Sequence, residues 1–368
     1  MHIAMITPQW LNTKGGPTTY VKNLKCNLES KGHSVFILTC EGGTMVSAFS
    51  NVPIVRDLQI LRLLGKINAD VVHIHGRIHY IPGAILYKIL LNKKTKIVFT
   101  FHTQPVFKNY LEPSKKIKVS HKGMKGVLGS FLLRFCDEIV SVSDSLVRNI
   151  NKYCGMQISK YTVIQAGADR VAVDIEVVDS FMKDNSLLNA SPIISSIGVF
   201  SWDWKVFGHK ITIEAIGILK NNYPNIKLLI AGDGVYRDFL VKSAEEYGVS
   251  NNVIFCGNMD NPYIILELAD VYVHMALNES LGLVIIEAMM AKKLIVAADA
   301  GGIPEIIQNN KTGILIEPTV SILANKLSEI LQDKAQCCIL AENAYKYASE
   351  NLNWMKISEQ YLSLYKGF

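Results

Sequence analysis

The stretch LNESLGLVIIEAMMAKKLIVAADAGGIPEII, residues 277–307, decides the fold prediction. It follows a short β-rich run at residues 270–274, and its apolar pattern predicts a loop, a helix from residue 283 and a buried strand at 294–297. The small residues 300–302 predict a second turn. In open α/β sheets, ligands bind outside the carboxyl ends of the strands, where a helix that begins there offers free N–H groups. The stretch therefore predicts a ligand site on a strand–helix–strand unit.

Two carboxylates flank the predicted start of this helix. Glu279 falls just past a strand end, and seven residues separate it from Glu287. Carboxylate oxygens accept hydrogen bonds and suit the hydroxyls of a sugar, whereas the free N–H groups of a helix start suit an anion. For either Glu alone, a solvated surface position is the more common explanation. The combination of loop, helix start and glycine turn favours the ligand site.

The composition indicates a globular protein with more than one core. The chain has 368 residues, of which 49% are hydrophobic and 19% charged, and this length favours two domains. No apolar run approaches the ~20 residues of a membrane span. The chain enters a strand at residues 2–6 without a basic and apolar leader, which predicts a cytoplasmic protein. The seven cysteines are scattered without metal-ligand spacing, so we expect reduced thiols and no metal site.

The charge is divided unequally along the chain. Residues 1–175 contain 23 Lys/Arg and 10 Asp/Glu, a net charge of +13, whereas residues 176–368 contain 15 and 22, a net charge of −7. A basic half followed by a slightly acidic half predicts that the two halves meet different partners.

Strand and helix patterns alternate in two sets, separated by residues 170–192, where the alternation is lost. This arrangement predicts an α/β fold of two doubly wound, Rossmann-like domains facing a cleft. We place the domains at residues 1–175 and 176–351.

Several polar and glycine positions fall at predicted strand ends of the first domain. Gly15-Gly16 precedes the first helix and allows close approach of a ligand to the backbone, although a plain turn before Pro17 is the simpler explanation. His102 follows an uninterrupted apolar run and is the first-ranked histidine; His73 is predicted in the core or behind the site, and His75 is intermediate.

Residues 108–135 are basic and amphipathic. Five lysines precede an apolar segment in this region: Lys115, Lys116, Lys118, Lys122 and Lys125. The segment suits an anionic membrane surface or an anionic acceptor. An ordinary helix with a solvated lysine face explains it equally well. Nucleic-acid binding is not expected, because the basic residues lack interleaved aromatic side chains.

Taken in order, the motifs resemble those of the retaining glycosyltransferases of the GT-B fold with an E-x7-E motif, the family 4-like or group 1 enzymes. The matching segments are Gly15-Gly16, DVVHIHG at 70–76, TFH at 100–102, AGDG at 231–234, NESLGLVIIEAM at 278–289 and AGGIPE at 300–305. The ordered series of segments covers nearly the whole chain.

The resemblance assigns roles to particular residues. His102 and Glu279 are the implied catalytic residues, with Glu279 accepting hydrogen bonds from the donor sugar and Glu287 from the ribose. The remaining implied donor-binding residues are Gly15, Gly16, Gly232, Asp233, Ser280, Leu281, Gly282 and Leu283, and Lys205 is added to them on the chemical grounds given below. It also implies that the final helix, within residues 352–368, packs back on the first domain. No metal or cofactor is implied beyond the nucleotide sugar as co-substrate.

One segment departs from the family pattern. Relatives usually carry an Arg and a Lys for the diphosphate after the first strand of the second domain, but residues 198–210 are GVFSWDWKVFGHK. Val199 or Phe200 stands at the Arg position, and Phe207 precedes Gly208 where Lys is usual. A pyrophosphate still needs cations or N–H groups around it. Lys205 is the first candidate for that task and Lys210 the second.

The expected function is transfer of a hexosyl unit from a nucleotide-diphosphate sugar to an acceptor hydroxyl, with retention of anomeric configuration. The basic first half predicts an anionic or membrane-associated glycan or lipid as acceptor, and peripheral attachment to the cytoplasmic membrane face is one option. Two alternatives remain open. A GT-B sugar-nucleotide epimerase would need no acceptor, and a catalytically degenerate relative would bind the donor without turnover.

Overall fold

The computed structural model describes residues 1–8, 15–40, 47–48, 50–103, 106–107, 118–119 and 124–367. Within them the chain forms two compact units. The first comprises Met1–Phe107, Lys118–Gly167 and Trp354–Phe368, and the second comprises Ala168–Asn353.

The first unit is built on a parallel sheet of seven strands. In chain order these are β1 (His2–Ile6), β2 (Ser34–Thr39), β3 (Ser47–Ala48), β4 (Val71–His75), β5 (Lys96–Phe101), β8 (Glu138–Ser141) and β9 (Thr162–Val163). Their order in the sheet is β3-β2-β1-β4-β5-β8-β9. Two short strands, β6 (Val106–Phe107) and β7 (Lys118–Val119), form a separate antiparallel pair. Every residue of β4 is buried, as expected for a parallel sheet whose two faces are covered.

The helices of the first unit follow the strands. They are α1 (Gly16–Ser30), α2 (Pro53–Ile67), a short 3₁₀ helix (Ile78–Tyr80), α3 (Ile81–Leu90), α4 (Met124–Leu133) and α5 (Asp144–Cys154). Among the described residues, no helix combines the length and apolar character needed to cross a bilayer.

The second unit repeats the architecture with six parallel strands. These are β10 (Ile193–Ile197), β11 (Lys227–Ala231), β12 (Val253–Gly257), β13 (Val271–His274), β14 (Leu294–Ala298) and β15 (Ile314–Ile316). The sheet order is β12-β11-β10-β13-β14-β15. The order reverses between β10 and β13, and the carboxyl ends of these two strands therefore form the usual ligand-binding crevice of a doubly wound sheet.

Seven helices accompany this sheet: α6 (Ile175–Asp184), α7 (Asp203–Leu219), α8 (Arg237–Glu246), α9 (Tyr263–Leu268), α10 (Leu283–Met290), α11 (Val320–Gln332) and α12 (Lys334–Asn351), with a 3₁₀ helix at Ile303–Glu305. Ile194, Ile213, Ile230, Val273 and Leu327 lie in one apolar core with no exposed surface. The predicted fold class is confirmed, and the predicted helix and strand of the 277–307 stretch are found as α10 and β14.

The last helix, α13 (Trp354–Lys366), belongs to the first unit. It packs against α1, where the hydroxyls of Tyr361 and Tyr20 lie 2.9 Å apart. One turn later, the Tyr365 hydroxyl lies 2.7 Å from Nδ1 of His73 on β4. Buried hydrogen bonds thus fasten this helix to the first sheet.

Gly208 allows α7 to approach the carboxyl end of β13. A Cβ atom at Gly208 would lie 2.4 Å from the carbonyl oxygen of Met275, a backbone atom with no freedom to move aside. We expect Gly208→Ala to lower the free energy of unfolding by about 2–4 kcal/mol. Gly217→Ala on the same helix is the matched control, since its Cβ would meet nothing closer than 3.5 Å. That change should stabilise the protein by about 0.5–1 kcal/mol through helix propensity. Urea unfolding of both variants checks this, and equal stability would contradict the close packing.

Candidate functional site

Glu279 lies in the loop that joins β13 to α10, with its side chain almost fully buried. Its Oε2 atom is 2.9 Å from Lys205 Nζ and 3.4 Å from His274 Nε2. Its Oε1 atom accepts a hydrogen bond from the backbone N–H of Ser280 at 3.2 Å. The carboxylate is therefore held between a lysine of α7, the last residue of β13 and its own loop.

The charge state of Glu279 is set by these neighbours. Burial by itself raises the pKa of the carboxyl group, but the positive charge of Lys205 and the contact with His274 outweigh burial and lower the pKa to about 2. Glu279 is thus ionised near neutral pH. An ionised carboxylate only accepts hydrogen bonds, which suits the predicted binding of sugar hydroxyls.

The glycine turn after β14 packs directly against Glu279. The N–H of Gly302 donates to the Glu279 carbonyl at 2.9 Å. Gly301 has a φ of +59°, and a Cβ there would lie 2.2 Å from the same carbonyl oxygen. The two loops of the 277–307 stretch therefore support one another, and a side chain at Gly301 would force them apart.

The N-terminus of α10 lies next in the chain. Gly282 is its N-cap residue, with a φ of 99° and no side-chain hydrogen bond that caps the helix. The Leu281 side chain is buried, and Leu283 is half-buried. At Ser280, Leu281, Gly282 and Leu283 a ligand would thus meet mainly backbone, and the start of a helix carries a partial positive charge that favours an anion.

Glu287 lies one further turn along α10 and has a different environment. Its side chain keeps some exposed surface but is densely surrounded, and burial raises its pKa to about 7. Its carboxylate makes no hydrogen bond or ion pair with the residues that the structure describes. Near neutral pH this group is therefore partly protonated, and a diol that donated hydrogen bonds to it would favour the ionised form.

We expect Glu287→Gln to stabilise the unliganded protein in a pH-dependent way. The folded-state pKa is raised from 4.5 to about 7, so the folded state holds this proton more tightly than the unfolded state. The resulting stability is fully present below about pH 4.5 and is lost as pH rises through about 7. The neutral variant should therefore melt at a higher temperature than the parent at about pH 8. The corresponding gain in the free energy of unfolding is at most ~3 kcal/mol. Thermal melts between about pH 5 and 8 check this, and a difference that does not change with pH contradicts it.

The two lysine candidates have separate partners. Lys205 contacts Glu279, whereas Lys210 pairs with Glu214 one turn along α7 and lies 5.5 Å from the centre of the Tyr247 ring. The structure thus brings the first candidate to the site and gives the second a partner on the helix surface.

Gly232 and Asp233 follow β11 and brace the loop after β10. The Gly232 N–H donates to the Gly257 carbonyl at 2.8 Å, and the Asp233 carbonyl accepts from the Phe200 N–H at 2.9 Å. The Asp233 carboxylate accepts from the N–H of Gly234 at 2.8 Å. These contacts fix the segment that leads into Lys205.

Sequence reasoning missed two features of this site. His274 is one, although its place directly before the 277–307 stretch could have marked it. The other is a pair of stacked indoles, Trp202 and Trp204, whose ring centres lie 5.2 Å apart at 22° beside Lys205. A small pocket at the ends of β10 and β13 includes Lys205 and His274, together with Gly198 and His209.

His102 follows β5 in the first unit and is nearly buried. Its Nε2 atom lies 2.9 Å from Nδ1 of His75, and the Tyr20 ring meets it edge-on at 4.7 Å. Burial lowers the pKa of His102 to about 3, so the ring is neutral near pH 7. Gly15 and Gly16 lie at the start of α1, and a Cβ at either would meet no atom within 4 Å.

The predicted lysine cluster lies largely outside the described residues. Lys115, Lys116 and Lys122 fall in undescribed segments, and only the backbone is described for Lys118 in β7 and Lys125 in α4. In the part of the chain that the structure does describe, no group of three or more His, Cys, Asp or Glu side chains is placed to hold a metal ion.

Two family models match successive parts of the chain. Residues 14–171 match the model described as Glycosyltransferase Family 4, and residues 179–347 match the one described as Glycosyl transferases group 1. Among curated proteins, N-acetyl-alpha-D-glucosaminyl L-malate synthase of Bacillus anthracis is 25% identical over 299 residues, covering 81% of this chain and 74% of that protein.

Solved structures share the whole architecture. A glycosyltransferase from Rickettsia africae superposes with a TM-score of 0.80 at 20% identity, covering 99% of this chain and 97% of that one. Anabaena HepE, in complex with UDP and glucose, superposes with a TM-score of 0.81 at 18% identity over the full length of both chains. The fold is therefore the GT-B fold of two parallel-sheet α/β domains. The chain belongs to the family 4-like, group 1 glycosyltransferases, and it is a glycosyltransferase.

Proposed function

We propose that this protein transfers a hexosyl unit from a nucleotide-diphosphate sugar to an acceptor hydroxyl, with retention of anomeric configuration. The observation that carries the proposal is the ion pair between Glu279 and Lys205 at the carboxyl end of β13. An ionised hydrogen-bond acceptor beside a cation suits a ligand that carries both sugar hydroxyls and a diphosphate. The related fold of HepE, solved in complex with UDP-glucose, adds support for a donor of this class.

Each part of the donor has a proposed partner. Glu279 accepts hydrogen bonds from the sugar, and Glu287 accepts them from the ribose diol. Lys205 and the N–H groups at the start of α10, residues 280–283, stabilise the charge that develops on the leaving diphosphate. Gly232 and Asp233 hold the loop that leads into α7, the helix of Lys205. Because Lys205 and backbone N–H groups supply the positive charge, we propose that the reaction needs no metal ion.

Retention follows if the leaving group serves as the base. The bond between the anomeric carbon and the phosphate oxygen breaks while the acceptor oxygen attacks from the same face. The departing phosphate oxygen takes the acceptor's proton, so no side-chain nucleophile is required. His102 of the first unit, as a neutral imidazole, is proposed to hydrogen-bond the sugar or the acceptor.

The stereochemical outcome tests this proposal. Purified protein is incubated with a nucleotide sugar and candidate acceptors, and the product's anomeric proton coupling is measured by NMR. An α-linked product from an α-linked donor is expected, and a β-linked product contradicts retention. An epimerised nucleotide sugar formed from donor alone would replace the proposal with the epimerase alternative. Donor binding without any turnover would favour the degenerate alternative.

The acceptor is proposed to be an anionic or membrane-associated glycan or lipid. Beyond the +13 charge of residues 1–175, α4 and the turn after it carry a row of exposed apolar side chains: Met124, Val127, Leu128, Phe131 and Phe135, each between 45% and 87% exposed. Their spacing puts them on one side of the helix. An exposed apolar stripe within a basic segment suits the interface of an anionic bilayer.

We expect the protein to bind vesicles that contain about 30% anionic lipid and not vesicles of neutral lipid. Both Val127→Ser/Leu128→Ser/Phe131→Ser and Lys115→Ala/Lys116→Ala/Lys118→Ala should reduce binding by about tenfold or more. A triple serine variant at Leu188, Ile218 and Val235, exposed apolar residues of the second unit, is the control and should bind normally. Vesicle flotation measures the bound fraction of protein. Equal binding to anionic and neutral vesicles would contradict this part of the proposal.

A further inference from the structure

Three buried histidine rings lie side by side in the first unit. The ring centres of His73 and His75 are 3.9 Å apart, and those of His75 and His102 are 5.2 Å apart. His73 and His75 are both on β4, and the register pairs His75 with Thr100 on β5, two residues before His102. The parallel pairing of these strands therefore creates the cluster.

The hydrogen bonds of His73 differ from those of His75. His73 uses both ring nitrogens, with Nδ1 on the Tyr365 hydroxyl and Nε2 on Thr100 Oγ1, each at 2.7 Å. His75 has one partner: its Nδ1 lies 2.9 Å from Nε2 of His102. The other nitrogen of His75, Nε2, is buried and has no hydrogen-bond partner among the described residues. His73 thus holds α13 through Tyr365, whereas the hydrogen bond of His75 holds the ring of His102.

The pair has two possible proton arrangements. Burial lowers the pKa of both His75 and His102, so each ring is neutral and carries one proton. If His102 donates from Nε2, the proton of His75 sits on its buried Nε2 as an N–H without an acceptor. If His75 donates from Nδ1, only an unshared electron pair is left at that position.

The second arrangement costs less. Buried N–H groups without acceptors are rarer in proteins than acceptors that lack a donor. A proton on Nδ1 of His75 leaves Nε2 of His102 as the acceptor. The proton of His102 must then reside on its Nδ1 atom. Unlike Nε2 of His75, that atom is not among the fully buried polar atoms that lack a partner in the described residues. His102 also keeps 8% of its surface exposed, against 1% for His75, so an N–H at this position can reach water or a ligand.

We propose that His75 is a positioning residue that fixes His102 as the Nδ1–H tautomer, so that His102 offers a hydrogen-bond donor to its ligand. The ligand atom is then an oxygen with a lone pair, from a sugar hydroxyl or a phosphate, and His102 does not act as a base. The functional part of this inference rests on the proposed transferase reaction, but the tautomer does not. Any change in strand register that moved His75 would release the His102 ring.

Nitrogen NMR of the resting protein tests the tautomer directly. With ¹⁵N-labelled histidine, two-bond proton–nitrogen correlations distinguish a protonated from an unprotonated ring nitrogen, and a His102→Gln variant assigns the signals. The proposal expects a protonated Nδ1 and an unprotonated Nε2 in His102. The reverse pattern overturns it. No substrate is present, so this result stands whether or not the proposed transferase function is correct.

An isosteric pair of variants links the tautomer to turnover. His75→Asn keeps an amide donor, whereas ionised Asp in His75→Asp can only accept and should drive His102 to the Nε2–H tautomer. We expect kcat to fall by about 10- to 100-fold in His75→Asp and by no more than about threefold in His75→Asn, with the donor KM changed little in both. His73→Asn is the control for structural damage: it should lower the melting temperature without altering the His102 signals. Equal kcat values and equal His102 spectra in the Asn and Asp variants overturn the proposal.

Discussion

Replacement of Lys205 by Met is expected to lower kcat/KM for the nucleotide sugar by about 10²- to 10³-fold. The apolar chain of Met fills much of the same space but brings no charge to the diphosphate. Relatives are expected to use an Arg and a Lys at this place, whereas this chain has only apolar side chains at both positions. The loss of the Lys205 charge should therefore weaken binding of the donor diphosphate and also its stabilisation in the transition state.

Lys210→Met is the matched control for this variant. Lys205 and Lys210 lie on the same helix and have similarly exposed side chains, at 23% and 25%. Lys210 pairs with Glu214 and not with Glu279, so its removal should change kcat/KM by no more than about threefold, as for a surface ion pair. Steady-state kinetics on both variants decide the question. A larger loss in Lys210→Met than in Lys205→Met would reverse the assignment.

Lys205→Met should also change the charge of Glu279. Without the lysine, burial becomes the main influence and raises the pKa of the Glu279 carboxyl group. As pH falls, the variant should therefore lose activity at a higher pH than the parent does. This second readout separates the loss of a phosphate contact from the loss of an ionised Glu279.

Glu279→Gln is expected to lower kcat/KM by about 10²- to 10³-fold, because charge-assisted hydrogen bonds to the sugar hydroxyls are replaced by weaker neutral ones. Gln keeps the shape of the side chain, so the surrounding loops should persist. Steady-state kinetics with a nucleotide sugar measures the change, and affinity for the free nucleotide diphosphate is the control. Unchanged sugar transfer would remove Glu279 from the site.

The free energy of unfolding provides an independent check, because Glu279→Gln and Glu287→Gln should change it in opposite directions. The folded-state pKa of Glu279 is lowered from 4.5 to about 2, so its stabilising contribution is present above about pH 4.5 and is lost as pH falls toward about 2. Near neutral pH, Glu279→Gln should cost on the order of 2–3 kcal/mol. Glu287→Gln should instead stabilise the protein there. Urea unfolding at the same pH compares the two glutamine variants, and the same sign of change in both would contradict the electrostatic description.

Much of the second unit could be predicted from one stretch of sequence. Residues 277–307 carry local signals that decide their own structure: an apolar helix, an apolar strand and glycines at the turns. α10 and β14 appear where these signals place them. The role of Gly301 was not visible, since its closeness to the Glu279 carbonyl depends on two loops meeting in space.

The ion pair between Lys205 and Glu279 could not be predicted from local sequence patterns. Lys205 and Glu279 are far apart in sequence and meet because β10 and β13 are neighbours at the point where the strand order reverses. The sequence pattern marked both residues as candidates, but it could not predict that they are in contact. The position of His274 next to the 277–307 stretch could have marked it, but its contact with Glu279 could not be predicted, because nothing in a single β-strand end shows which side chains will face each other. The stacking of Trp202 and Trp204 was missed for the same reason.

The histidines show a similar limit in the first unit. The alternating pattern of β4 suggested a core position for His73 and left His75 open. Only the assembled structure shows that His73 contacts Thr100 and Tyr365, whereas His75 contacts His102. Hydrogen-bond partners of buried polar groups are a property of the assembled sheet, not of the strand.

We propose above all that the Glu279–Lys205 site binds a nucleotide-diphosphate sugar. The most direct test is a thermal-shift titration of the parent, Lys205→Met and Lys210→Met proteins with uridine, guanosine and adenosine diphosphate sugars, since a ligand that binds only the folded state raises its melting temperature. We expect that the sugars of at least one base stabilise the parent and Lys210→Met, and that Lys205→Met loses most of the shift. No shift with any nucleotide sugar, or a full shift in Lys205→Met, would contradict it.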